Sequence, residues 1–261
     1  MEQTALRGTF NEDPANYDRY RPRYMPELFE TIFAYGEKAG CSRGKALEMG
    51  SGTGQATEPF LRAGWQVTAV EMGDNLASFA REKFRDQPGL KVVCGDFLTA
   101  PLEGPYDLFY AATSFHWVGT KEAFPRIQSL LKPGGVVALF WNHPCPGKPG
   151  TPEYDAIQQV YGKYRGERVQ THLGISQEDA ASKVRCLEVW GFTQVEARVF
   201  HGVRRLTAQE YVGLMNTYSD HRAMEKKARL ALEHDMEEAI EALGGVLPVY
   251  DTVDLYLARN P

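Results

Sequence analysis

The stretch that decides the fold is KALEMGSGTGQATEPF, residues 45–60, with the glycine-rich run EMGSGTG at residues 48–54. A short apolar segment, Lys45–Met49, precedes the glycines, and residues 55–63 have a helical pattern after them. A strand that ends at a glycine-rich turn before a helix lets backbone N–H groups face a ligand without a Cβ in the way. The stretch therefore predicts a site for a nucleotide-containing cofactor, and several such cofactors use this arrangement.

The spacing of the glycines argues against a dinucleotide. Gly50, Gly52 and Gly54 follow G-x-G-x-G, whereas the dinucleotide fingerprint requires G-x-G-x-x-G or a closing alanine, which neither register provides. Glu48 stands two residues before the first glycine, where a carboxylate would repel a pyrophosphate and attract an ammonium group such as that of a methionine moiety. The alternative reading is a tight turn between strand and helix that binds nothing.

The remainder of the chain alternates between strand and helix patterns. Strands are predicted at residues 45–49, 66–71, 90–94, 106–111, 136–141, 192–200 and 249–258. Helices are predicted at residues 26–39, 55–63, 74–85, 120–131, 178–190, 207–218 and 222–242. This alternation predicts an α/β fold with a parallel sheet covered by helices on both faces.

One segment interrupts the alternation. Residues 143–152, HPCPGKPGTP, contain four prolines and two glycines and are expected to form a loop. A helix is expected after it, with Tyr154, Ile157, Val160, Tyr161 and Tyr164 at helical spacing. We expect one domain over residues 1–261 with a cofactor-binding core at 40–142. Residues 143–176 and 207–235, with the N-terminal segment 10–25, are expected to form a substrate cap.

The ends of the second and third predicted strands carry further candidate ligands. Glu71 ends the second strand, where an acidic side chain accepts hydrogen bonds from ribose hydroxyls, and Met72 is expected against the adenine face. After the third strand, Asp96 is expected to accept from an adenine amino group and Phe97 to supply a backbone N–H. An ordinary solvated glutamate at a strand end is the alternative for Glu71.

An ordered set of segments carries a family resemblance. LEMGSGTGQAT, VTAVEMGDNLASFAREKF, VVCGDF, YDLFYAATSFHWV and LLKPGGVVALFWN together resemble the class I S-adenosylmethionine-dependent methyltransferases, in the methyltransferase-11-like branch. The resemblance covers about residues 44–142. The preceding YDRYRPRYMPELF is similar to the N-terminal segment of a bacterial subgroup whose members are uncharacterised.

The resemblance implies a fold, a cofactor and site residues. The implied fold is Rossmann-like, with a seven-stranded, mostly parallel sheet, an antiparallel last strand, helices on both faces and an inserted helical cap. The implied cofactor is S-adenosylmethionine, with Glu71 on its ribose and with Asp96 and Phe97 on its adenine. The residues implied to hold its methionine portion are Glu48, Gly50, Ser51, Gly52, Thr53, Gly54, Ala112 and Thr113. Ser51 stands where the family frequently has cysteine.

Methyl transfer requires the protein to align a nucleophile, to exclude water and sometimes to remove a proton from the nucleophile. His116 follows the fourth strand, and histidine has a pKa range suited to a general base. The alternative for His116 is a packing role under the cap. If the acceptor is a carboxylate, the reaction needs no base. The candidate substrate or lid residues are Tyr17, Tyr20, Arg21 and Trp117. The first three lie in an aromatic and basic cluster, for which a solvated arm is the alternative.

Composition limits the partners of the chain. The 261 residues are 43% hydrophobic and 24% charged, with a formal net charge of −5, which argues against a nucleic-acid-binding face. No apolar run approaches the roughly 20 residues needed to cross a bilayer, and the N-terminus does not resemble a signal peptide. The four cysteines are scattered, so we expect no metal site, no disulfide framework and a cytoplasmic protein. We also expect either a monomer or a homodimer.

Three functions are compatible with these patterns. The favoured one is methyl transfer from S-adenosylmethionine to a small molecule by in-line displacement. The alternatives are a methyltransferase acting on RNA or protein, and a non-catalytic regulatory protein that binds S-adenosylmethionine.

Overall fold

The structure is a computed structural model that describes residues 8–38, 40–41, 43–165 and 175–261. Residues 166–174 of the predicted cap lie outside the described residues. The chain divides into two compact units, of which the first comprises Met1–Arg21, His143–Ile175 and His201–Val253. The second comprises Pro22–Asn142, Ser176–Phe200 and Asp254–Pro261.

Seven strands form one sheet with the order β3-β2-β1-β4-β5-β7-β6. The strands are β1 (Lys45–Met49), β2 (Gln66–Glu71), β3 (Leu90–Cys94), β4 (Tyr106–Ala112), β5 (Leu131–Pro146), β6 (Thr193–Thr207) and β7 (Val246–Arg259). The five strands β1 to β5 pair in parallel. The predicted fold class, a Rossmann-like seven-stranded sheet with helices, is confirmed.

The last strand runs antiparallel to its neighbour β5. Near the start of β5, Gly134 N–H donates to Asn260 O at 3.0 Å, and Asn260 N–H donates to Gly135 O at 2.8 Å. Beyond the other end of β5, Gly147 N–H donates to Pro248 O at 2.8 Å, near the start of β7. The start of one strand therefore pairs with the end of the other, as antiparallel neighbours do.

The helices occur between the strands, as the alternating pattern predicts. They are α1 (Pro14–Tyr20), α2 (Pro26–Lys38), α3 (Thr57–Arg62), α4 (Asp74–Lys83), α5 (Thr120–Leu130), α6 (Pro152–Arg165), α7 (Gln177–Lys183), α8 (Arg185–Val189), α9 (Ala208–Met215), α10 (Ser219–Arg222) and α11 (Lys226–Ala242). Short 3₁₀ turns cover Thr9–Glu12 and Phe115–Trp117. In the described residues, no helix combines the length and the apolarity that a membrane crossing requires.

The core of the second unit is built on the central strands. In β4, most residues from Tyr106 to Ala111 are buried. In β1, all four residues Ala46–Met49 are buried. Continuous burial of this kind is typical of parallel strands covered on both faces. On α2, Leu28, Phe29 and Ile32 are buried at helical spacing.

The core of the first unit is built from helices. Ile157 and Tyr161 on α6, Leu214 on α9, and Leu232 and Met236 on α11 are buried in one apolar cluster. The predicted helical spacing of residues 154–164 is thus the spacing with which α6 buries one face.

Several predicted boundaries are wrong, and the loop predicted at residues 143–152 is the clearest case. β5 continues through residues 143–146 to Pro146. Proline is tolerated there because β4 ends at Ala112, opposite Phe140, so β5 has no β4 backbone to pair with beyond that point.

Two predicted helices differ in their bounds as well. The helix predicted at 178–190 divides into α7 and α8, and the helix predicted at 222–242 begins only at Lys226, after the separate short helix α10. Strands β6 and β7 are longer than the predicted 192–200 and 249–258.

Candidate active site

The carboxyl ends of the parallel strands meet at one edge of the second unit's sheet. Met49 pairs with Val70 of β2 and with Ala111 of β4, and Glu71 pairs with Cys94 of β3. The sheet order reverses between β2-β1 and β4-β5, and ligands of open α/β sheets bind at such a switch point. The structure thus brings the predicted residues at the ends of β1, β2, β3 and β4 to one edge.

The glycine loop after β1 is a tight turn with left-handed backbone. Gly50, Gly52 and Gly54 have φ of 70°, 56° and 89°, which favour glycine. Sequence reasoning expected backbone N–H groups of the loop to face a ligand, but most of them bond within the protein. Gly50 N–H and Ser51 N–H donate to Val70 O, and Gly54 N–H donates to Ser51 O.

Close packing gives Gly50 a second reason to be glycine. A Cβ at Gly50 would lie 2.6 Å from the Cβ of Ser114. Ser114 Oγ in turn donates to Met49 O at 2.6 Å, which ties the residue after Thr113 to the end of β1. Sequence reasoning did not select Ser114, because nothing in its local pattern indicates a partner 65 residues away.

One polar atom of the loop is buried without a hydrogen-bond partner. Ser51 is 5% exposed, and its Oγ is buried and makes no hydrogen bond. Leaving a buried hydroxyl unpaired costs free energy of about 1–3 kcal/mol. A polar ligand that bonds this hydroxyl would recover that cost, so the loop fits a bound cofactor.

Glu48 is buried among hydroxyl groups and aromatic rings. Thr57 Oγ1 and Tyr110 Oη donate to its Oε2 at 2.5 and 3.0 Å, and the ring of Phe60 stacks on Tyr110 at 3.9 Å. Burial raises the pKa of Glu48 to about 7, although the two hydrogen bonds oppose the rise. Burial, together with the nearby Glu48, also raises the pKa of Tyr110.

Glu71 connects the end of β2 to the glycine loop. Its Oε2 accepts from Gly52 N–H at 2.7 Å, and its Oε1 accepts from Gly73 N–H at 2.9 Å. Glu71 is 8% exposed. The carboxylate is therefore held beside the loop by backbone donors from both neighbouring segments.

The candidates after β3 differ in their environments. Asp96 Oδ1 accepts from Leu98 N–H at 2.9 Å and is half-buried, as expected of a residue that shapes its own turn. Phe97 is buried, and its ring lies 5.5 Å from that of Phe109. Met72, after β2, is exposed, so its side chain is accessible to a ligand.

Thr113, which follows Ala112, has a strained backbone that side-chain contacts hold in place. Its φ is 52°, unusual for a β-branched residue. Its Oγ1 lies 2.8 Å from Tyr24 Oη and accepts from Asn142 N–H at 3.2 Å. Tyr24 belongs to the N-terminal segment, and sequence reasoning passed it over in favour of its neighbours.

His116 lies in the short turn Phe115–Trp117 after β4. Trp141 Nε1 on β5 donates to His116 Nδ1 at 3.1 Å, and the ring of Trp117 lies 4.8 Å from the His116 ring. His116 is exposed, yet the surrounding protein removes enough water to lower its pKa. Sequence reasoning did not select Trp141, which lies 25 residues from His116 in the chain.

The remaining candidates, Tyr17, Tyr20 and Arg21, belong to the first unit. The Nη2 atom of Arg21 donates to Thr217 O at 2.8 Å. The Arg21 guanidinium lies 5.1 Å from the centre of the Tyr17 ring and 4.7 Å from that of Tyr218. The ring of Tyr20 packs so closely on Gly213 that a Cβ there would approach it to 2.7 Å. These three residues form a packed cluster with α9 and the residues after it.

Among the described residues, no group of three or more His, Cys, Asp or Glu is arranged to hold a metal ion.

The fold and the carboxyl-edge residues define a class of protein. A sheet with a switch point between β1 and β4, a glycine turn after β1 and a carboxylate at the end of β2 is the arrangement of Rossmann-like nucleotide-binding enzymes. Residues 47–139 match the family described as methyltransferase domain.

Known proteins of similar sequence and structure agree with this match. An uncharacterised methyltransferase of Schizosaccharomyces pombe is 25% identical over 240 residues, which cover 90% of this chain and 88% of the relative. A solved structure named as that of a type II methyltransferase from Anaeromyxobacter dehalogenans is similar in fold, with a TM-score of 0.62 at 21% identity over 92% of this chain and 98% of that one. A phosphoethanolamine methyltransferase of Haemonchus contortus with bound S-adenosylhomocysteine has a TM-score of 0.52 at 16% identity, covering 96% of this chain and 57% of that one.

The match over residues 47–139, the methyltransferase relatives and the fold together support a class I S-adenosylmethionine-dependent methyltransferase. It is an enzyme, and S-adenosylmethionine is its cofactor. The unpartnered Ser51 hydroxyl is able to donate to the carboxylate of the cofactor's amino-acid part, and an ionised Glu48 carboxylate is able to accept from its ammonium group.

Proposed function

We propose that the enzyme transfers the methyl group of S-adenosylmethionine to a small-molecule acceptor by in-line displacement. The cofactor supplies a methyl group that its sulfonium already activates. The protein must therefore hold the acceptor in line and keep water out, and it has little covalent chemistry to perform.

The residues at the carboxyl edge have distinct parts in this proposal. Glu48 attracts the cofactor's ammonium group, and Ser51 completes the contacts of the methionine portion. Glu71 accepts from the ribose hydroxyls in exchange for its bond to Gly52 of the loop. Asp96 and Phe97 hold the adenine, with the exposed Met72 against its face. Ala112 and Thr113 border the methionine end.

The observation that carries the small-molecule proposal is a polar interior in the first unit. Tyr161 Oη lies 3.2 Å from His221 Nε2 and 3.4 Å from Tyr211 Oη, and all three residues are buried. His221 Nδ1 donates to Asp220 Oδ1 at 3.1 Å, and Arg165 donates to Asp220 Oδ2 at 2.5 Å. A helical cluster needs none of these polar groups for packing, and they suit recognition of a compact polar molecule.

Arg21 extends this polar interior toward the N-terminal segment. It forms no ion pair with any described residue, and its Nε is buried without a hydrogen-bond partner. A half-buried guanidinium enclosed by aromatic rings is suited to an anionic group of an acceptor. The net charge of −5 over the whole chain is unfavourable for RNA as the acceptor.

Radiolabelled methyl transfer tests the proposal. The enzyme is incubated with S-adenosylmethionine tritiated in its methyl group and with three fractions of a cell extract, namely an ultrafiltrate, the RNA and the proteins. We expect label in products of the ultrafiltrate and none in macromolecules. Label confined to RNA or protein would overturn the proposal, and binding of the cofactor with no transfer at all would favour the regulatory alternative.

An Arg21→Met variant sharpens the same test. Because methionine keeps the side-chain length and loses the charge, we expect the KM for the acceptor to rise at least tenfold while the cofactor Kd stays unchanged. Arg19→Met, two residues earlier in α1, is the matched control, because the Arg19 guanidinium lies over the ring of Tyr20, whereas that of Arg21 lies over the rings of Tyr17 and Tyr218. Equal effects of the two substitutions would remove Arg21 from acceptor binding.

A further inference from the structure

The hydrogen bond between Trp141 and His116 determines which nitrogen of the histidine carries the proton. Trp141 Nε1 carries a hydrogen and only donates, so Nδ1 of His116, 3.1 Å away, must accept through its lone pair. The neutral imidazole therefore carries its proton on Nε2. That nitrogen has no partner among the described residues, and His116 is exposed.

The same bond opposes protonation of the ring. Adding a proton to Nδ1 would place two N–H donors opposite each other and would cost the hydrogen bond to Trp141. Desolvation acts in the same direction and lowers the pKa of His116; no charged group contributes to this shift. The ring is thus neutral at pH 7, with an N–H rather than a lone pair available to a ligand.

Both partners of this bond are held in position. Asn142, next to Trp141 on β5, donates its backbone N–H to Thr113 Oγ1 at 3.2 Å, three residues before His116. The indole also packs on the ring of Tyr256, with 5.9 Å between the ring centroids. The tautomer is therefore set by rigid elements and does not depend on a mobile side chain.

We propose that Trp141 is a positioning residue that fixes His116 as a hydrogen-bond donor, and that the acceptor is a carboxylate, which His116 orients through Nε2–H. This inference rests on the proposed function and names its substrate class. Alcohols, thiols and ammonium groups must lose a proton when they are methylated, and an Nε2–H ring is unable to take it. A carboxylate is already deprotonated at neutral pH, so its oxygen lone pairs are available to attack the methyl group.

The reaction balances without a base. One carboxylate oxygen donates an electron pair to the methyl carbon, the carbon–sulfur bond breaks and its electron pair remains on sulfur. The products are a methyl ester and S-adenosylhomocysteine, and no proton is released or consumed. His116 donates to the other carboxylate oxygen and so orients the attacking one. In this proposal His116 acts as a donor and not as a general base.

The position of the proton is directly measurable. ¹⁵N shifts of the His116 ring, assigned with a His116→Gln variant, are expected to show a protonated Nε2 and an unprotonated Nδ1 at pH 7, with or without S-adenosylhomocysteine. Trp141→Phe is expected to produce a mixture of tautomers, and Trp190→Phe, in the same unit but packed on Phe124, is expected to leave the shifts unchanged. A protonated Nδ1 in the wild-type enzyme would overturn the proposal.

Two substitutions at His116 separate a donor from a base. Glutamine retains an N–H donor at a similar reach and has no basic nitrogen, whereas alanine has neither. We expect kcat of His116→Gln to fall less than tenfold and kcat of His116→Ala to fall at least tenfold. Equal loss of activity in the two variants, with native circular dichroism, would contradict the donor role.

The chemistry of the labelled product tests the substrate class. A methyl ester releases its label as volatile methanol in mild alkali, whereas methyl groups on nitrogen, carbon, sulfur or an ether oxygen stay in place. We expect alkali-labile label in the ultrafiltrate products. Alkali-stable label in those products would sink this inference and leave the proposed function intact. Label in RNA or protein alone, or no label, would sink the proposed function and this inference with it.

Discussion

At the scale of single residues, Glu48 has the most unusual environment in the site. Its carboxyl is buried beside Thr57 and Tyr110, and its pKa is raised to about 7 because burial disfavours the charged form. A carboxyl that holds its proton near neutral pH attracts an ammonium group only after it ionises. Cofactor binding at Glu48 is therefore expected to release a proton.

This linkage predicts that S-adenosylmethionine binds more weakly as the pH falls below 7. Between pH 7 and pH 6 the ionised fraction of Glu48 falls from about a half to about a tenth, while an α-amino group stays protonated. We expect the Kd to rise roughly fivefold across that interval, measured by isothermal titration calorimetry, with a net proton release that depends on the ionisation enthalpy of the buffer.

Glu48→Gln is expected to weaken binding and to abolish the pH dependence. Glu58→Gln on α3 is the matched control, because Glu58 pairs with Arg62 and has no contact with Glu48. A pH dependence that persists unchanged in Glu48→Gln would show that another group carries the linkage.

At the scale of elements, the turn from β1 into α3 depends on glycine at Gly50 because of both backbone and packing. Gly50→Ala would place a Cβ at φ 70° and 2.6 Å from the Cβ of Ser114. We expect a loss of roughly 2–4 kcal/mol in the free energy of unfolding, from left-handed backbone strain together with overpacking. Urea unfolding followed by circular dichroism measures this loss.

A glycine in a helix gives the opposite expectation and serves as the control. Gly162 lies within α6, and a Cβ there would meet nothing within 4 Å. Gly162→Ala should raise the free energy of unfolding by up to about 1 kcal/mol, because alanine loses less backbone entropy in a helix. If both substitutions were neutral, the strain assigned to the glycine turn would be wrong.

At the scale of the whole molecule, ligand binding to the native state raises its stability. At a hundredfold excess over Kd, S-adenosylmethionine is expected to add about 2.7 kcal/mol. For a chain of this size, that gain corresponds to a rise of roughly 5–10 °C in Tm by differential scanning fluorimetry. S-adenosylhomocysteine should act similarly and NAD should produce no rise, because the glycine spacing and Glu48 disfavour a pyrophosphate.

Three properties of the whole chain stay predictions. They are a cytoplasmic location, a monomeric or homodimeric state and membership of a bacterial subgroup of the family. Sedimentation velocity at two protein concentrations would determine the oligomeric state directly.

The sequence by itself determined the features that local patterns encode. The strand at Gln66–Glu71, the helix that starts at Pro26 and the glycine turn after Met49 all follow from periodicity, proline and glycine within a few residues. The cofactor class follows from the order of motifs at strand ends, because parallel strands bring their carboxyl ends to one edge.

The tertiary structure alone decided the features that depend on residues distant in the chain. Residues 143–146 of the predicted loop continue β5 instead, because β4 ends at Ala112 and leaves no pairing there for proline to disrupt, whereas residues 147–151 form a loop as predicted. Tyr110 reached Glu48 and Trp141 reached His116 across 62 and 25 residues. Local periodicity does not encode such long-range pairs. The sequence therefore identifies His116 as a candidate, whereas the position of its proton depends on a contact that forms only in the folded chain.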